Sequence, residues 1–566
     1  MGSLGALEAT PATCGSEKLL NLGPFRNGTP TGFASSKDIK NAYDRARLIC
    51  RYYGLTHHDI LTLSPKFWQF HLDSIHAESN NSLVVLTTHL NLCIGTLAEY
   101  LPDRPDLEPL VERLLNFDIN GQFLLTEVGW GVDASSLKTT ATLQPDGSFE
   151  LHTPHQQAAK FMSPTTPDAG MPSGGIVFAT LVVDEEDRGV RPFWVLLHDS
   201  RQMEEGVTSF ALPKRAGAQA NDHAVTMFHH KRLPKEALLG SLEKPTDPHA
   251  YFSEIIGRAS VGTLSLSTVN VPCLKLSAYI AGKYSLRREV TAPDGKQIPI
   301  VQYRTQQRPI LHALAQAAVW EAAAKHAADL FVTSKDATVK STTAIAFKVA
   351  IQGQTQDTLT QLADRCGAQG LYEHNTIIRA QNLMRGNSLA EGELVVISIR
   401  LTTELLLNHA TFPTSPYPDA PLPRYAAGLL AEARAILATL PAGGTHEVHD
   451  AAFNAAILPL CQPLAEAIGY QLASDGARAR GVPADLLAAF EAGVVLRGAS
   501  WFVEHAGRTR RELLAREQAA LTAVAGRFGE LLDGLGVEAF ARAPLLTEGA
   551  WEAFVEGLPR FGGGEV

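Results

Sequence analysis

Cysteine is sparse in this chain of 566 residues: Cys14, Cys50, Cys93, Cys273, Cys366 and Cys461 are scattered, and no two form a C-x-x-C pair. That spacing argues against a zinc ribbon or a dithiol redox motif and predicts reduced thiols. Excess positive charge is also missing. A formal net charge of -10, with no basic stripe, excludes a nucleic-acid backbone as the main ligand. No uninterrupted apolar run reaches the roughly 20 residues that a helical bilayer crossing needs. The N-terminal MGSLGALEATPATCGSEK lacks the basic start and apolar centre of a secretory signal, so an intracellular protein without a membrane span is expected. Repeats of fixed period and a G-x-S-x-G elbow are absent. The pairs His152…His155 and His229-His230 have no matching carboxylate constellation, which predicts structural or surface roles and no metal site. The glycosylation patterns at Asn27-Gly28-Thr29 and Asn80-Asn81-Ser82 need a secretory context and carry no weight.

What remains is an ordinary globular composition, 45% hydrophobic and 19% charged, in a chain long enough for about three or four domains. Its texture changes along its length. Repeating apolar faces in SKDIKNAYDRARLICRYYG and SLVVLTTHLNLCIGTLAEYL predict an N-terminal helical domain over residues 1–118. Short alternating runs such as GIVFATLVVD, and the hairpin LQPDGSFEL turning at Pro145-Asp146-Gly147, predict a β-rich domain over 119–247. Alanine-rich ILHALAQAAVWEAAAKHAADLF returns the chain to helix over 248–410. TFPTSPYPDAPLPRY then reads as a stiff extended linker opening a last helical region, 411–566. The order supports a multidomain α+β protein.

Two stretches carry candidate chemistry. In LLTEVGWG, Thr126, Gly129 and Gly131 end a predicted strand, where a flat ligand could approach the backbone; a β-bulge with a tight turn explains the same residues. In SLAEGELVVISIR, Glu391 stands just before an apolar run. A solvated helix start and a proton-abstracting base at the mouth of an apolar pocket both fit it.

Several segments together resemble the acyl-CoA oxidases of the acyl-CoA dehydrogenase superfamily. The first segment resembles TELGHGSN...LETTATYDP. LPKRAG...ND...FHHKRLP resembles GPKxG...DN...FDNxRIP, YSLRREV resembles YSxxRRQFG, and YRTQQ resembles YPTQQ. CGAQGLY resembles CGGxGY, and AEGELVV resembles FEGENTV, all in family order from about residue 36 to 405. The resemblance implies a helical domain, a β-barrel-like middle domain, a four-helix bundle and a C-terminal helical domain. It implies FAD between middle domain and bundle, and a homodimer. It places Thr126, Phe161, Met162 and Ser163 near the flavin, with Gly129 and Gly131 in the same turn. Arg287 falls at the FAD pyrophosphate, and Gly367 and Gly370 where backbone approaches the cofactor. Glu391 matches the catalytic glutamate, with Glu393 its nearest rival, and LVVISI is expected as a dry apolar floor beneath it.

The implied reaction is α,β-dehydrogenation of an acyl thioester to the trans-2-enoyl product, with O₂ as acceptor giving H₂O₂. Two alternatives stand beside it: a dehydrogenase or desaturase of the same fold using an electron-carrier protein or a non-CoA substrate, and a non-catalytic acyl-binding or scaffold relative. The sequence departs from the family pattern at Trp130 and Val132 (His and Ser in GHGS), Val290 and Thr291 (Phe and Gly in RRQFG), and Pro164 (Gly). The chain ends GGGEV without a Ser-Lys-Leu-type address, leaving a cytoplasmic or peroxisomal location open and suggesting a specialised pathway.

Overall fold

The computed structural model describes residues 32–441 and 450–561. Cys14, the Asn27 pattern and both chain ends lie outside them.

Helix α1 (Ser36–Tyr53) buries Ile39, Ala42, Tyr43, Ala46, Cys50 and Tyr53, a single stripe at helical spacing. Ser35 caps its start by accepting from the Asp38 N–H, and Gly54 ends it in the left-handed conformation that glycine adopts without strain. Helix α2 (Asn80–Thr87) runs through a π-helical stretch, Thr88–Ile94, into α3 (Gly95–Tyr100). This α2–α3 rod is long and apolar enough to cross a membrane, but 89% of its apolar 18-residue stretch is buried inside the protein, as a core helix would be.

Among the described residues the strands form three sheets, one of them only a short ribbon that pairs Glu289–Thr291 with Gln297–Pro299. Of the other two, the larger has the order β1 (Asn120–Leu124), β5 (Ser173–Val183), β2 (Thr140–Leu143), β3 (Phe149–His152) and β9 (Lys231–Leu233), with β6 (Glu186–His198) also paired to β5. The smaller has the order β4 (Lys160–Pro164), β8 (His223–Phe228), β7 (Val207–Ala211). Strands β2 and β3 form the expected hairpin, from Thr140 opposite His152 to Leu143 opposite Phe149. Its turn uses Gly147 at φ 84° and an Asp146 carboxylate that accepts from the Ser148 N–H.

Helices α4 (Arg258–Thr268), α5 (Asn270–Arg287), α6 (Arg304–Thr333) and α7 (Ala337–Arg365) follow, then α8 (Ile377–Asn387) and α9 (Leu394–Leu406). Pro309 sits inside α6 and cannot donate to the Thr305 carbonyl four residues back. The guanidinium of Arg365 does so instead, at 3.0 Å, so the helix continues without an orphaned acceptor. Trp320 of α6 is wholly buried, edge-on to Phe347 and Phe490, and its indole N–H finds Gln354 at 2.7 Å. Burying such a ring contributes roughly 3 kcal/mol.

The proline-rich stretch is shorter as a linker than expected. It runs without helix only to Ala420, closing in a turn where the Ala420 N–H donates to the Tyr417 carbonyl (3.0 Å), because α10 (Pro421–Ala438) begins inside it. Pro421 and Pro423 fall in the first turn, where a helix has no use for their missing N–H groups. Helices α11 (Leu458–Ala479), α12 (Ala484–Arg497) and α13 (Arg510–Ala525) pack beyond. Cys50, Cys93, Cys273, Cys366 and Cys461 are free, as their spacing predicts, and all five are buried.

One buried carboxylate ties the last helices to the bundle. Glu517 of α13 accepts from Arg308 at 2.6 Å and His312 at 2.7 Å, both on α6. These bonds hold its carboxyl down to about 2 despite burial. A depressed carboxylate stabilises the fold above its unfolded value, and that contribution is lost as pH falls toward the folded one. Glu517→Gln is therefore expected to cost about 2 kcal/mol at pH 7 by urea unfolding. The gap from the unaltered protein should close as pH drops from 4.5 to about 2.

Candidate active site

Two neighbouring glutamates end up with different jobs. Glu393 is the N-cap of α9: its carboxylate accepts from the Val396 N–H at 3.0 Å. The solvated helix start left open for Glu391 therefore describes Glu393. Glu391, two residues earlier, turns inward from a backbone in the left-handed region (φ 54°), followed by Gly392 at φ 106°. Such a φ costs a non-glycine residue on the order of 1 kcal/mol, so the surroundings must enforce it.

The Glu391 carboxyl nests against the backbone of α4 at Gly262, where an added Cβ would stand 1.1 Å from Oε2. Oε2 is buried and has no hydrogen-bond partner among the described residues. Enclosure raises the carboxyl to about 7, while the positive charges of Lys348 and Arg258 pull it the other way. The apolar LVVISI run is not the floor of this seat. Val395 is 48% exposed and Val396 42%, since α9 turns that face outward; α4 supplies the floor instead.

Arg258 is held by the π-helical stretch. It donates to the Asn91 side-chain oxygen (2.7 Å), the Asn91 carbonyl (3.1 Å) and the Ile60 carbonyl (3.2 Å). The Asn91 carbonyl that accepts this bond lies inside the π-helical stretch Thr88–Ile94, where the helical ladder is loosened. Gly95 leaves room for the guanidinium, whose Nε would lie 2.4 Å from a Cβ there.

Thr126, Phe161, Met162 and Ser163 are brought together. The Phe161 N–H donates to the Thr126 carbonyl (2.9 Å), and the Ser163 hydroxyl to the Phe123 carbonyl (2.9 Å). Strand β4 loses register between Phe161 and Pro164, with Met162 at φ 77°. The result is a bulged shelf on which Phe161 (39%) and Met162 (37%) stay exposed. His223, held near 4 by burial and so neutral, donates through Nδ1 to the Met162 carbonyl at 2.7 Å and fixes the bulge. Gly129 packs on Gln157, 3.1 Å from a Cβ, whereas nothing crowds Gly131.

Arg287, Gly367 and Gly370 gather at one end of the bundle. Arg287 donates to the Leu545 carbonyl (2.8 Å), the Leu545 N–H donates to Asn375 (3.3 Å), and Asn375 donates to the Gln369 carbonyl (3.0 Å). Gly367 has φ 61°, and a Cβ on Gly370 would lie 2.0 Å from the Ala363 carbonyl oxygen, so the chain's own turn requires both glycines. Among the described residues, no hydrogen bond or ion pair joins this cluster to the shelf.

Sequence reasoning missed Glu127, Lys160, His223, Arg258, Gly262, Thr263 and Lys348. A lone lysine in the otherwise small and apolar TTAIAFKVAI was a visible signal for Lys348; Gly262 had none. Among the described residues no cluster could hold a metal ion. His152 and His230 stack at 4.1 Å, with His230 bonded to Glu150 at an exposed edge.

Residues 262–406, the span from the Gly262 seat through Glu391 to the end of α9, match the family profile of the acyl-CoA oxidase C-alpha1 domain. Over that span the chain is similar to the acyl-CoA oxidases. It is 30% identical over 224 residues to human peroxisomal acyl-coenzyme A oxidase 3, covering 36% of this chain and 31% of that one. It is 25% identical over 322 residues to peroxisomal acyl-coenzyme A oxidase 2 of Arabidopsis thaliana, covering 51% and 46%. The matches thus span about a third to a half of these curated relatives. The fold agrees with that of acyl-CoA oxidase 1 from Yarrowia lipolytica, with a TM-score of 0.78 at 18% identity over 93% of this chain and 87% of that one. Acyl-CoA oxidase-2 of Caenorhabditis elegans, solved with FAD, ascaroside-CoA and ATP, gives a TM-score of 0.70 at 16% identity, over 93% and 92%. The α+β fold is that of the acyl-CoA oxidases.

The shelf hangs on a buried ion pair. Glu127 accepts from Lys160 (3.0 Å) and from the N–H groups of Lys138 (2.7 Å) and Thr139 (2.9 Å), with both charged side chains wholly enclosed. Removing one partner strands the other charge. Lys160→Met is expected to cost about 3–5 kcal/mol in chemical unfolding, against less than about 1 kcal/mol for the exposed pair partner in Lys40→Met.

Proposed function

We propose that this protein is an FAD-dependent oxidoreductase of the acyl-CoA oxidase type. It would dehydrogenate an acyl thioester between Cα and Cβ to the trans-2-enoyl product and pass the electrons to O₂ as H₂O₂. The observation that carries this reading is the enclosed Glu391 carboxyl, unpartnered on Oε2 and raised to about 7. FAD, when bound, supplies the acceptor for the hydride leaving Cβ. The residues present fit such a group. The Thr126–Ser163 shelf offers an exposed apolar face to a flat ring, and Met162 and Ser163 lie outside the β4–β8 pairing.

The chain's own work is proton abstraction. An α-hydrogen of a thioester is weakly acidic, so its removal needs a strong, dry base at hydrogen-bonding reach. Desolvation makes Glu391 such a base, and its Oε2 has no competing donor to satisfy first. Arg258 and Lys348 keep enough of it ionised near neutral pH to accept the proton. A homodimer and an intracellular setting are part of the proposal. They rest on the family and on relatives named as peroxisomal.

Purified protein should be yellow or become so on reconstitution with FAD, and an acyl-CoA should bleach it under nitrogen. A preparation that takes up no flavin would overturn the reading, and fast bleaching with slow return of colour in air would replace O₂ with a carrier protein. Glu391→Gln should keep the flavin and slow bleaching by at least about 10³-fold. Because the base must be ionised, the bleaching rate should climb with pH through about 7. A flat profile between pH 6 and 8 would assign the proton to another group.

A further inference from the structure

Lys348 lies in mid-α7 and is only 1% exposed. Its ammonium donates to the carbonyls of Ala390 (2.5 Å), Gly392 (2.6 Å) and Glu391 (3.4 Å). A lysine has three donors and no acceptor, and here three successive carbonyls of one turn receive them. From the opposite side Thr263 of α4 donates to the Glu391 carbonyl at 2.8 Å, the shorter bond on the oxygen that Lys348 reaches least closely. Two helices thus grip the turn that carries the inward-facing carboxylate.

The turn needs this grip. Glu391 and Gly392 both have positive φ, and the three carbonyls point one way, which concentrates negative potential at one spot. An ammonium placed there satisfies the acceptors and the strain together. Lys348 has no direct ion pair among the described residues. The charges facing it are the carboxylates of Glu391 and Glu393.

We propose that Lys348 is the positioning residue for α-proton transfer: its three-carbonyl clamp fixes the left-handed turn that aims Glu391. The proposal rests on Glu391 being the base. The proton passes from the substrate Cα to the Glu391 carboxylate; burial lowers Lys348 to about 8, so it still carries its charge at pH 7. The groups around Glu391 are Lys348 from α7, Arg258 from α4, Glu393 on its own turn, and Glu99 of α3, which faces Arg258 and counters it. Both cations favour ionised Glu391. Without Lys348 the carboxyl must hold its proton to higher pH.

The test compares Lys348→Met, Lys348→Arg and Thr263→Val in the flavin-loaded full chain, by hydrogen exchange over residues 388–397 and by flavin bleaching against pH. Lys348→Met should keep its flavin and exchange about tenfold faster in that segment. Its bleaching rate at pH 7 should fall about 100-fold, with half-saturating acyl-CoA changed less than about threefold. The acid limb of its pH profile should move about one unit upward. Lys348→Arg should return the acid limb to its place without restoring the rate, because a planar fork cannot meet three carbonyls of one turn. Thr263→Val should quicken exchange and leave the acid limb in place. Wild-type exchange and an unmoved acid limb in Lys348→Met would overturn the proposal. If that variant does not fold, unaltered exchange and bleaching in both others would do so. Should no acyl-CoA bleach the wild-type protein, the base reading fails, while exchange still decides whether Lys348 holds the turn.

Discussion

A carboxylate loses several kcal/mol of hydration when enclosed, and the structure around Glu391 is arranged to hold it at that cost. The seat is a missing side chain, Gly262. The compensation is two cations that make no direct bond to it, Arg258 and Lys348. Had either cation formed a close ion pair with Oε2, the carboxyl would be a weak base. Leaving that oxygen unpartnered keeps its proton affinity high, and the cations keep it charged. The π-helical stretch, Gly95 and Asn91 are explained by the need to anchor Arg258 at a distance.

The shelf at Phe161 and Met162 obeys the same logic by a different device. There the buried charges do pair directly, Glu127 with Lys160, and backbone N–H groups satisfy the remaining lone pairs. A directly paired couple gives rigidity and no reactivity, which suits the strand junction that carries Thr126 and the bulge. The contrast between the two buried carboxylates separates a structural acid from a candidate base.

Much of the fold was legible because periodicity reports burial. The stripe of α1, the Pro145-Asp146-Gly147 hairpin and the breaker-free α6 all form where local pattern and packing agree. The end of the proline-rich linker was misjudged because a proline in the first turn of a helix looks, in sequence, like one that prevents a helix. Glu391 was reachable only through resemblance. Its environment is built from residues 128 positions away on α4 and 43 away on α7, and no local pattern records that Thr263 and Lys348 converge on one turn. The apolar run after it misled for a related reason, since hydrophobicity alone does not record that Val395 and Val396 face outward.

The central claim is that an enclosed Glu391 removes the α-proton. It is tested most directly by the anaerobic bleaching rate of the flavin-loaded protein with an acyl-CoA deuterated at C2, compared with the unlabelled compound between pH 6 and 8. The account predicts that deuterium slows bleaching several-fold and that the rate rises through about 7 for both substrates. Equal rates for the two substrates, with no dependence on pH, would contradict it.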